Sequence, residues 1–173
     1  MYKLIISPLR YSAIVHASHL LDKRSVVITI ANGMEESNIY ELCFEAKRIQ
    51  KRFEVEKAYK VFGVRQLYCF NQYIYNIDYE FVLLKLQLML AVSQFTHICY
   101  EEYEDRDLIE VIRGVVGRAN TIIYTSDSEN TLTYELNEEE IECKLQAVQR
   151  MPTIRKHLLY MQEPHLEYIK RSI

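Results

Sequence analysis

The sequence Ser-Val-Val-Ile-Thr-Ile-Ala at residues 25–31 decides the fold class. Almost every side chain in this stretch is apolar and β-branched, which is typical of a strand that is covered on both faces. Such a strand needs helices above and below its sheet, and a parallel sheet acquires them through its crossover connections. The stretch therefore predicts an α/β protein with a mostly parallel sheet.

On either side of this strand, short β-rich runs alternate with longer segments of helical period, which predicts a Rossmann-like three-layer sandwich. We predict strands at residues 2–7, 25–31, 66–70, 95–99, 121–125 and, at an edge of the sheet, 131–136. We predict helices at residues 12–22, 38–62, 78–93, 106–118 and 138–150, and, after Pro152, a helical stretch to Met161.

Local features refine the first three helices. Ser12 is the expected N-cap of the first helix. Gly63 is the expected left-handed residue after the second helix. The third helix is expected to bury a face made of Phe81, Leu84, Leu88 and Ala91.

Length and composition limit the class of protein. A chain of 173 residues is long enough for one well-buried core and short for two, so we expect a single domain over residues 1–173. Its 4 Gly and 3 Pro are too few for the many tight hairpins of an all-β sandwich. The formal net charge of -3 argues against a strongly basic nucleic-acid binder. The 14 tyrosines suit a partner surface or stacking on sugars, and an AT-rich coding bias explains them equally well.

The cysteines and the apolar runs bear on location. Cys43, Cys69, Cys99 and Cys143 are spaced too widely for a zinc knuckle or a thioredoxin-like motif, so we expect reduced thiols, most of them in the core. The longest apolar stretch, at residues 81–92, is shorter than a membrane span, and the start of the chain lacks the apolar core of a secretory signal. We therefore expect a cytoplasmic protein with no membrane association.

Several short motifs follow one another along most of the chain. They are Ile5-Ile6-Ser7-Pro8, Val27 to Gly33, the group Arg52, Glu54, Ala58 and Gly63-Val64, the segment from Phe95-Thr96-His97 to Asp105-Arg106-Asp107-Leu108, and Glu140 to Val148 with Lys144 and Ala147. In this order they resemble the LmbE-like (PIG-L) family of zinc-dependent N-acetylglucosaminyl deacetylases. The resemblance implies a Rossmann-like fold with metal ligands on loop ends at the carboxyl edge of the sheet.

The same resemblance implies that the zinc site is lost. The family's Pro-His-Pro-Asp-Asp-Glu motif supplies its His and its second Asp to zinc and its first Asp as general base, and the last His of its His-Pro-Asp-His motif is the third ligand. The matching residues here are Leu9 and Ser12 for the first two ligands, Tyr11 for the base and Leu108 for the last His. Zinc needs three N, S or O ligands from the protein, so we predict no metal, no other cofactor and no zinc-dependent deacetylation.

The candidate residues of this altered pocket are Leu9, Arg10, Tyr11, Ser12, His97, Asp105, Asp107 and Leu108. Arg10 follows the first strand and suits a phosphate or carboxylate, or else it is a solvated loop arginine. His97 and Cys99 precede an acidic loop, residues 101–107, that would hold a divalent cation or simply face water.

His16 and His19 are three residues apart on the predicted first helix. This spacing suits a metal, and two partly exposed helix histidines are the simpler interpretation because no third ligand is close in sequence.

Three hypotheses for function follow. The first is a degenerate homologue that acts by binding a protein partner or a small polar ligand, with an oligomer possible. The second is an enzyme with a rebuilt, metal-independent site acting on a sugar or nucleotide-like substrate through Arg10, Tyr11, Ser12, His97 and Asp105. The third is an unrelated doubly wound domain. A pocket plugged by Leu9 and Leu108 would favour the first hypothesis, and an open polar cleft would favour the second.

Overall fold

The computed structural model describes residues 2–31, 41–73, 75–117, 121–129, 131–152 and 165–170. For residues 41–48 it describes the backbone only. Its elements in chain order are β1 (Tyr2–Leu9), α1 (Ser12–His16), a 3-10 turn (Ser18–Leu20), β2 (Ser25–Ala31), α2 (Glu41–Val61), β3 (Gln66–Gln72), α3 (Tyr79–Val92), β4 (Phe95–Glu101), α4 (Arg106–Val116), β5 (Thr121–Thr125), β6 (Leu132–Glu135), α5 (Glu138–Gln149) and β7 (Leu166–Lys170).

The strands form one sheet in the order β3-β2-β1-β4-β5-β7-β6. The first five strands in this order are parallel, and β7 and β6 close the sheet in antiparallel fashion. This confirms the predicted α/β class with a mostly parallel, Rossmann-like sheet. The chain order of the strands reverses between β1 and β4, and in sheets of this kind the reversal opens a crevice at the carboxyl ends of the two strands.

Helices cover both faces of the sheet and enclose two cores. One core, which we call the first layer, packs α1, α2 and α5 against strand residues such as Ile5, Val27 and Cys99. The other, the second layer, packs α3 and α4 against Ile6 and Tyr100. Because successive side chains of a strand point to opposite faces, the neighbours of Ile6 and Tyr100 along β1 and β4 belong to the first layer.

The predicted first helix, residues 12–22, is interrupted. α1 ends at His16 because Ala17 leaves the helical region of backbone space, with φ -146 and ψ 34, and a separate 3-10 turn follows. Ser12 as N-cap was wrong, since Tyr11 occupies that position and makes no side-chain cap. The Ser7 hydroxyl on β1 instead accepts a hydrogen bond from the Ala13 N–H at 3.1 Å. The helix is thus capped from the neighbouring strand.

The predicted end of α2 is confirmed. Gly63 has φ 70, its N–H donates to Lys60 O at 3.0 Å, and the Val64 N–H donates to Tyr59 O at 3.4 Å. This pair of bonds is a Schellman motif, which needs a left-handed residue and so favours glycine. The predicted start at residue 38 lies outside the described residues.

The predicted buried face of α3 was wrong for three of its four residues, while Phe81 is half-buried and packs in the second layer. Val82 and Leu86 are the buried residues, whereas Leu84 is 53% exposed and Leu88 is 61% exposed. Ala91 is also exposed. The helix is apolar on nearly every side, so hydrophobic periodicity alone does not orient it. Packing against the sheet and against α4 selects the face instead.

At the C-terminal end, β6 is an edge strand as predicted, but β7 was missed. It inserts between β5 and β6, and its side chains Glu167 and Lys170 break the apolar signal expected of a strand. α5 matches its prediction and begins with a capping box between Asn137 and Glu140. The helical stretch predicted up to residue 161 lies outside the described residues.

The cysteine and membrane expectations can be compared with the described part of the chain. Cys69, Cys99 and Cys143 are free thiols; Cys99 is buried and the other two are half-buried. Side-chain details of Cys43 lie outside the described residues. Among the described helices, none combines the length and apolar character needed to cross a bilayer.

A buried carboxylate ties β7 to the rest of the first layer. Glu167 accepts hydrogen bonds from the Ser18 N–H at 2.9 Å, the Ser18 hydroxyl at 2.5 Å and the Lys144 ammonium at 2.8 Å, and it pairs with the His19 ring. Burial alone would raise the pKa of Glu167. The His19 hydrogen bond and the charge of Lys144 outweigh burial and lower this pKa to about 2.

We predict that Glu167→Gln destabilises the fold by about 3–5 kcal/mol at neutral pH, because it leaves the Lys144 ammonium buried without a counter-charge. Urea unfolding measures the change. The pKa of Glu167 is lower in the folded state, so its contribution is complete above its unfolded value and declines as the pH falls toward about 2. Glu135→Gln, on the exposed edge strand β6, is the matched control. Equal urea midpoints for Glu167→Gln and wild type would contradict the assignment.

Candidate functional site

The candidate site lies where the strand order reverses. β1 ends at Leu9 and continues into Arg10, Tyr11 and Ser12, while the neighbouring β4 ends at Glu101. The carboxyl ends of these two parallel strands meet at the same edge of the sheet. This is the place where open α/β sheets bind ligands.

Polar side chains fill the first layer at this edge. Ser7 on β1 lies beside Thr29 on β2, and the register of β1 with β4 places Glu101 on the other side of Ser7. All three are buried. Ser12, at the start of α1, covers them from above. We call these four residues, together with His16, the polar centre.

Ser12 is held by hydrogen bonds within the protein. Its hydroxyl oxygen lies 2.8 Å from the Ser7 hydroxyl oxygen and accepts the Leu9 N–H at 3.3 Å. It also donates to the Leu9 carbonyl at 3.2 Å. The Ser12 hydroxyl is therefore part of the link between β1 and α1.

Glu101 is the acid of the polar centre. Burial raises the pKa of its carboxyl to about 8, although a hydrogen bond with Ser12 opposes the shift. Its Oε1 lies 3.9 Å from His16 Nε2, and its Oε2 has no hydrogen-bond partner among the described residues. Burial lowers the pKa of His16 to about 4, and the charge of Lys144 adds to this effect. Near neutral pH a protonated carboxyl therefore faces a neutral imidazole.

Two buried tyrosines and a thiol border the polar centre. Burial raises the pKa of both Tyr59 and Tyr124, and the charge of Glu101 raises each further. The Tyr124 hydroxyl donates to the Ile6 carbonyl at 3.1 Å. Burial also raises the pKa of Cys99 to about 12, so this thiol stays protonated and unreactive.

Arg10 is an inward-facing cation. It is only 1% exposed, so the alternative of a solvated loop arginine was wrong. Its Nη2 donates to Asn71 Oδ1 at 2.5 Å, at the carboxyl end of β3. Asn71 has φ 58, a left-handed conformation that asparagine tolerates better than most residues. Arg10 thus bridges the ends of β1 and β3.

His97 lies away from the polar centre. β4 continues to Glu101, four residues beyond His97, and His97 pairs in register with Lys3 near the start of β1. The prediction that His97 ends a strand at the site was therefore wrong. The sequence run from Phe95 to Glu101 carries polar residues at both ends, which obscured the true end of the strand.

The acidic residues after β4 point in different directions. Asp105 caps α4 by accepting the Leu108 N–H at 3.0 Å and also accepts the Tyr79 hydroxyl at 3.0 Å. Glu102 forms ion pairs with Lys170 and Arg113. Asp107 is exposed in the first turn of α4. Across the described ranges, no three His, Cys, Asp or Glu residues form a group that could hold a metal ion.

His16 and His19 do not act as a pair either. His16 faces Glu101, whereas His19 binds Glu167 and stacks on the Tyr134 ring at 4.2 Å. The end of α1 between them separates the two rings into different carboxylate environments.

The residues that the LmbE-like resemblance assigns to the zinc-ligand positions do not fit zinc. Leu9 is a half-buried hydrocarbon, and the Ser12 hydroxyl is bonded to Ser7 and Leu9. Leu108 is fully buried in the second layer, on the opposite face of the sheet from Ser12. Leu9 and Leu108 therefore do not plug a common pocket. Tyr11, in the place of the general base, is half-buried and packs against the first layer.

Sequence reasoning missed the central roles of Glu101, Tyr59 and Tyr124. Glu101 was assigned to the acidic loop, although it follows Cys99 at the two-residue spacing of one strand face. This alternation was the signal that could have identified it. The two tyrosines carried no local signal, because only the packed fold brings their hydroxyls to the same layer.

Solved structures share this fold over almost the whole chain. An N,N'-diacetylchitobiose deacetylase from Pyrococcus horikoshii, complexed with its inhibitor MPG, matches with a TM-score of 0.64 at 14% identity, covering 98% of this chain and 81% of that one. A deacetylase of the teicoplanin biosynthetic pathway, solved as a triple mutant, has a TM-score of 0.69 at 14% identity, with 95% and 86% covered. The hydratase GalB from Pseudomonas putida KT2440, which acts on 4-carboxy-2-hydroxymuconate, has a TM-score of 0.66 at 11% identity, with 98% and 95% covered.

No family model matches the sequence, and no curated protein matches it. The structural likeness, at 11–14% identity, concerns the fold, and deacetylases and a hydratase share that fold. The fold implied by the LmbE-like resemblance is confirmed. This chain has the α/β fold of the LmbE-like deacetylases.

We predict that Glu101 makes the protein less stable as the pH rises. Its pKa is raised in the folded state, so the folded protein holds the proton longer than the unfolded chain does. Stability is therefore lost between the unfolded pKa of 4.5 and the folded value of about 8, by at most about 5 kcal/mol. Glu101→Gln removes this loss, and urea unfolding across the pH window measures it.

The matched control is Glu102→Gln, which alters the next carboxylate along the chain, one that is ion-paired and partly exposed. It should leave the pH dependence of wild type in this window. If Glu101→Gln and wild type lose stability in parallel as the pH rises, Glu101 is not the buried acid described above.

Proposed function

We propose that this protein acts by binding a small polar ligand at the carboxyl edge of its sheet and does not catalyse zinc-dependent deacetylation. The observation that carries the proposal is the chemistry of the zinc-ligand positions. Leu9 offers only hydrocarbon, the Ser12 hydroxyl is bonded within the protein, and Leu108 lies in the second layer on the opposite face of the sheet. Without three N, S or O ligands there is no zinc, and without zinc there is no bound water of low pKa.

The groups that remain at this edge support a small polar ligand. Arg10 is held by Asn71, and Glu101 and His16 face each other at 3.9 Å. Polar side chains at the carboxyl ends of parallel strands, near the point where the strand order reverses, are typical of ligand sites in α/β proteins. A protein partner, the other expected occupant, would need a broad surface rather than buried polar groups.

A metal-independent enzyme is the second candidate, and one observation favours it. The pKa of Glu101 is about 8 and that of His16 is about 4, so a carboxylic acid and a neutral imidazole are adjacent near neutral pH. Acid and base groups with separated pKa values are typical of proton-transfer sites. For this candidate enzyme we propose Glu101 and His16 as the proton-transfer residues instead of His97, because His97 lies elsewhere on the sheet.

We expect the purified protein, incubated with zinc and then desalted, to hold no stoichiometric zinc by plasma mass spectrometry. We also expect no acetate release from N-acetylglucosamine conjugates, because the ligand set is absent. Stoichiometric zinc together with acetate release would overturn the proposal. Acetate release without zinc, lost in Glu101→Gln and retained in Glu102→Gln, would favour the metal-independent enzyme instead.

A further inference from the structure

Two carboxylates buried in the first layer have opposite surroundings. Glu167 accepts hydrogen bonds from Ser18, His19 and the Lys144 ammonium. Glu101 has a hydrogen bond with the Ser12 hydroxyl, and its Oε2 has no partner among the described residues. A buried carboxylate oxygen without a donor carries a desolvation cost that a bound partner would recover. Of these two carboxylates, Glu101 is therefore the one with an oxygen that an external donor could satisfy.

The groups that face Glu101 carry no compensating positive charge. They are Ser12 and His16 from α1, Tyr59 from α2, Tyr124 from β5 and, on its own strand, Cys99. His16 is neutral above its lowered pKa of about 4. The charge of Lys144 lowers the pKa of His16, but the Lys144 ammonium donates its hydrogen bond to Glu167. An ionised Glu101 would therefore have one unbalanced negative charge.

His16 connects this acid with solvent. Its side chain is 28% exposed, while its Nε2 lies 3.9 Å from Glu101 Oε1. The carboxylate is thus one side chain away from water. The lone pair of neutral His16 is a hydrogen-bond acceptor, which complements a ligand that donates N–H bonds.

We propose that the polar centre binds a small ligand with a single positive charge, which pairs with the Glu101 carboxylate while His16 accepts a hydrogen bond from it. The ammonium group of a small amine has this chemistry, and an alkali ion shares its charge. The inference rests on the proposed binding function and names the ligand class for the same site. Burial selects for small size, because Glu101 lies beneath His16.

The test is thermal unfolding of the whole chain in chloride salts at constant ionic strength, at about pH 9 where Glu101 ionises. The probes are ammonium, methylammonium, potassium and sodium, with tetramethylammonium as a cation that has no N–H donor and is too large. We expect ammonium and methylammonium to raise Tm saturably, by about 3–6 °C at tenfold above Kd. A rise with potassium or sodium instead would identify an alkali-ion site on the same carboxylate.

Glu101→Gln removes the charge and should abolish the rise in Tm. Glu102→Gln keeps the buried acid and should retain the rise, since Glu102 pairs with Lys170 outside the polar centre. At about pH 5, where Glu101 is protonated, wild type should also lose the response. This pH comparison needs no variant, so it tests the proposal even if Glu101→Gln unfolds.

Equal shifts in wild type and Glu101→Gln, or no shift with any of the small cations, would overturn the inference. The zinc and acetate measurements separate this failure from failure of the proposed function. A zinc-free, inactive protein with no cation response would refute the ligand class alone. A zinc-loaded, active protein would refute the binding function itself.

Discussion

The Glu167 carboxylate is the contact on which the first layer depends. It joins β7 to the 3-10 turn through Ser18 and His19, and to α5 through Lys144. Each of these donors would be buried without a partner if β7 were displaced, which makes the arrangement all-or-none. The same ion pair sets the electrostatic field at His16, where Lys144 lowers the pKa and Glu167 raises it. The Glu167–Lys144 ion pair therefore influences the pKa of His16 in the candidate site.

The two buried acids illustrate how surroundings decide chemistry. Glu167 has a pKa of about 2 because cationic and hydrogen-bonding donors outweigh its burial. Glu101 has a pKa of about 8 because burial dominates and a hydroxyl gives only partial relief. The first carboxylate is a structural anion, and the second is neutral near neutral pH. Only the second has an oxygen that remains available to a ligand.

Strand patterns predicted much of the fold, because burial on both faces leaves a local signature in β1 and β2. The terminal signal at Gly63 acted locally and appears as expected. Among the wrong predictions are those for α3 and β7, whose positions depend on tertiary contacts. The uniformly apolar α3 gave no direction to its buried face. The carboxylate of β7 has two of its donors, Ser18 and His19, 149 and 148 residues earlier in the chain.

The candidate site divides in the same way. The sequence alone shows that Leu9 and Leu108 carry no metal-binding atoms, whereas their place and that of Ser12 at zinc-ligand positions stays a prediction from the resemblance. The sequence could not predict three other features, because burial and neighbours exist only after folding. They are the inward direction of Arg10, the remote position of His97 and the unpartnered oxygen of Glu101. The sequence by itself determined the α/β class, because burial of strands on both faces leaves a pattern in the residues themselves. The tertiary structure decided which polar groups meet, because a pKa and a free hydrogen-bonding atom depend on what surrounds a side chain.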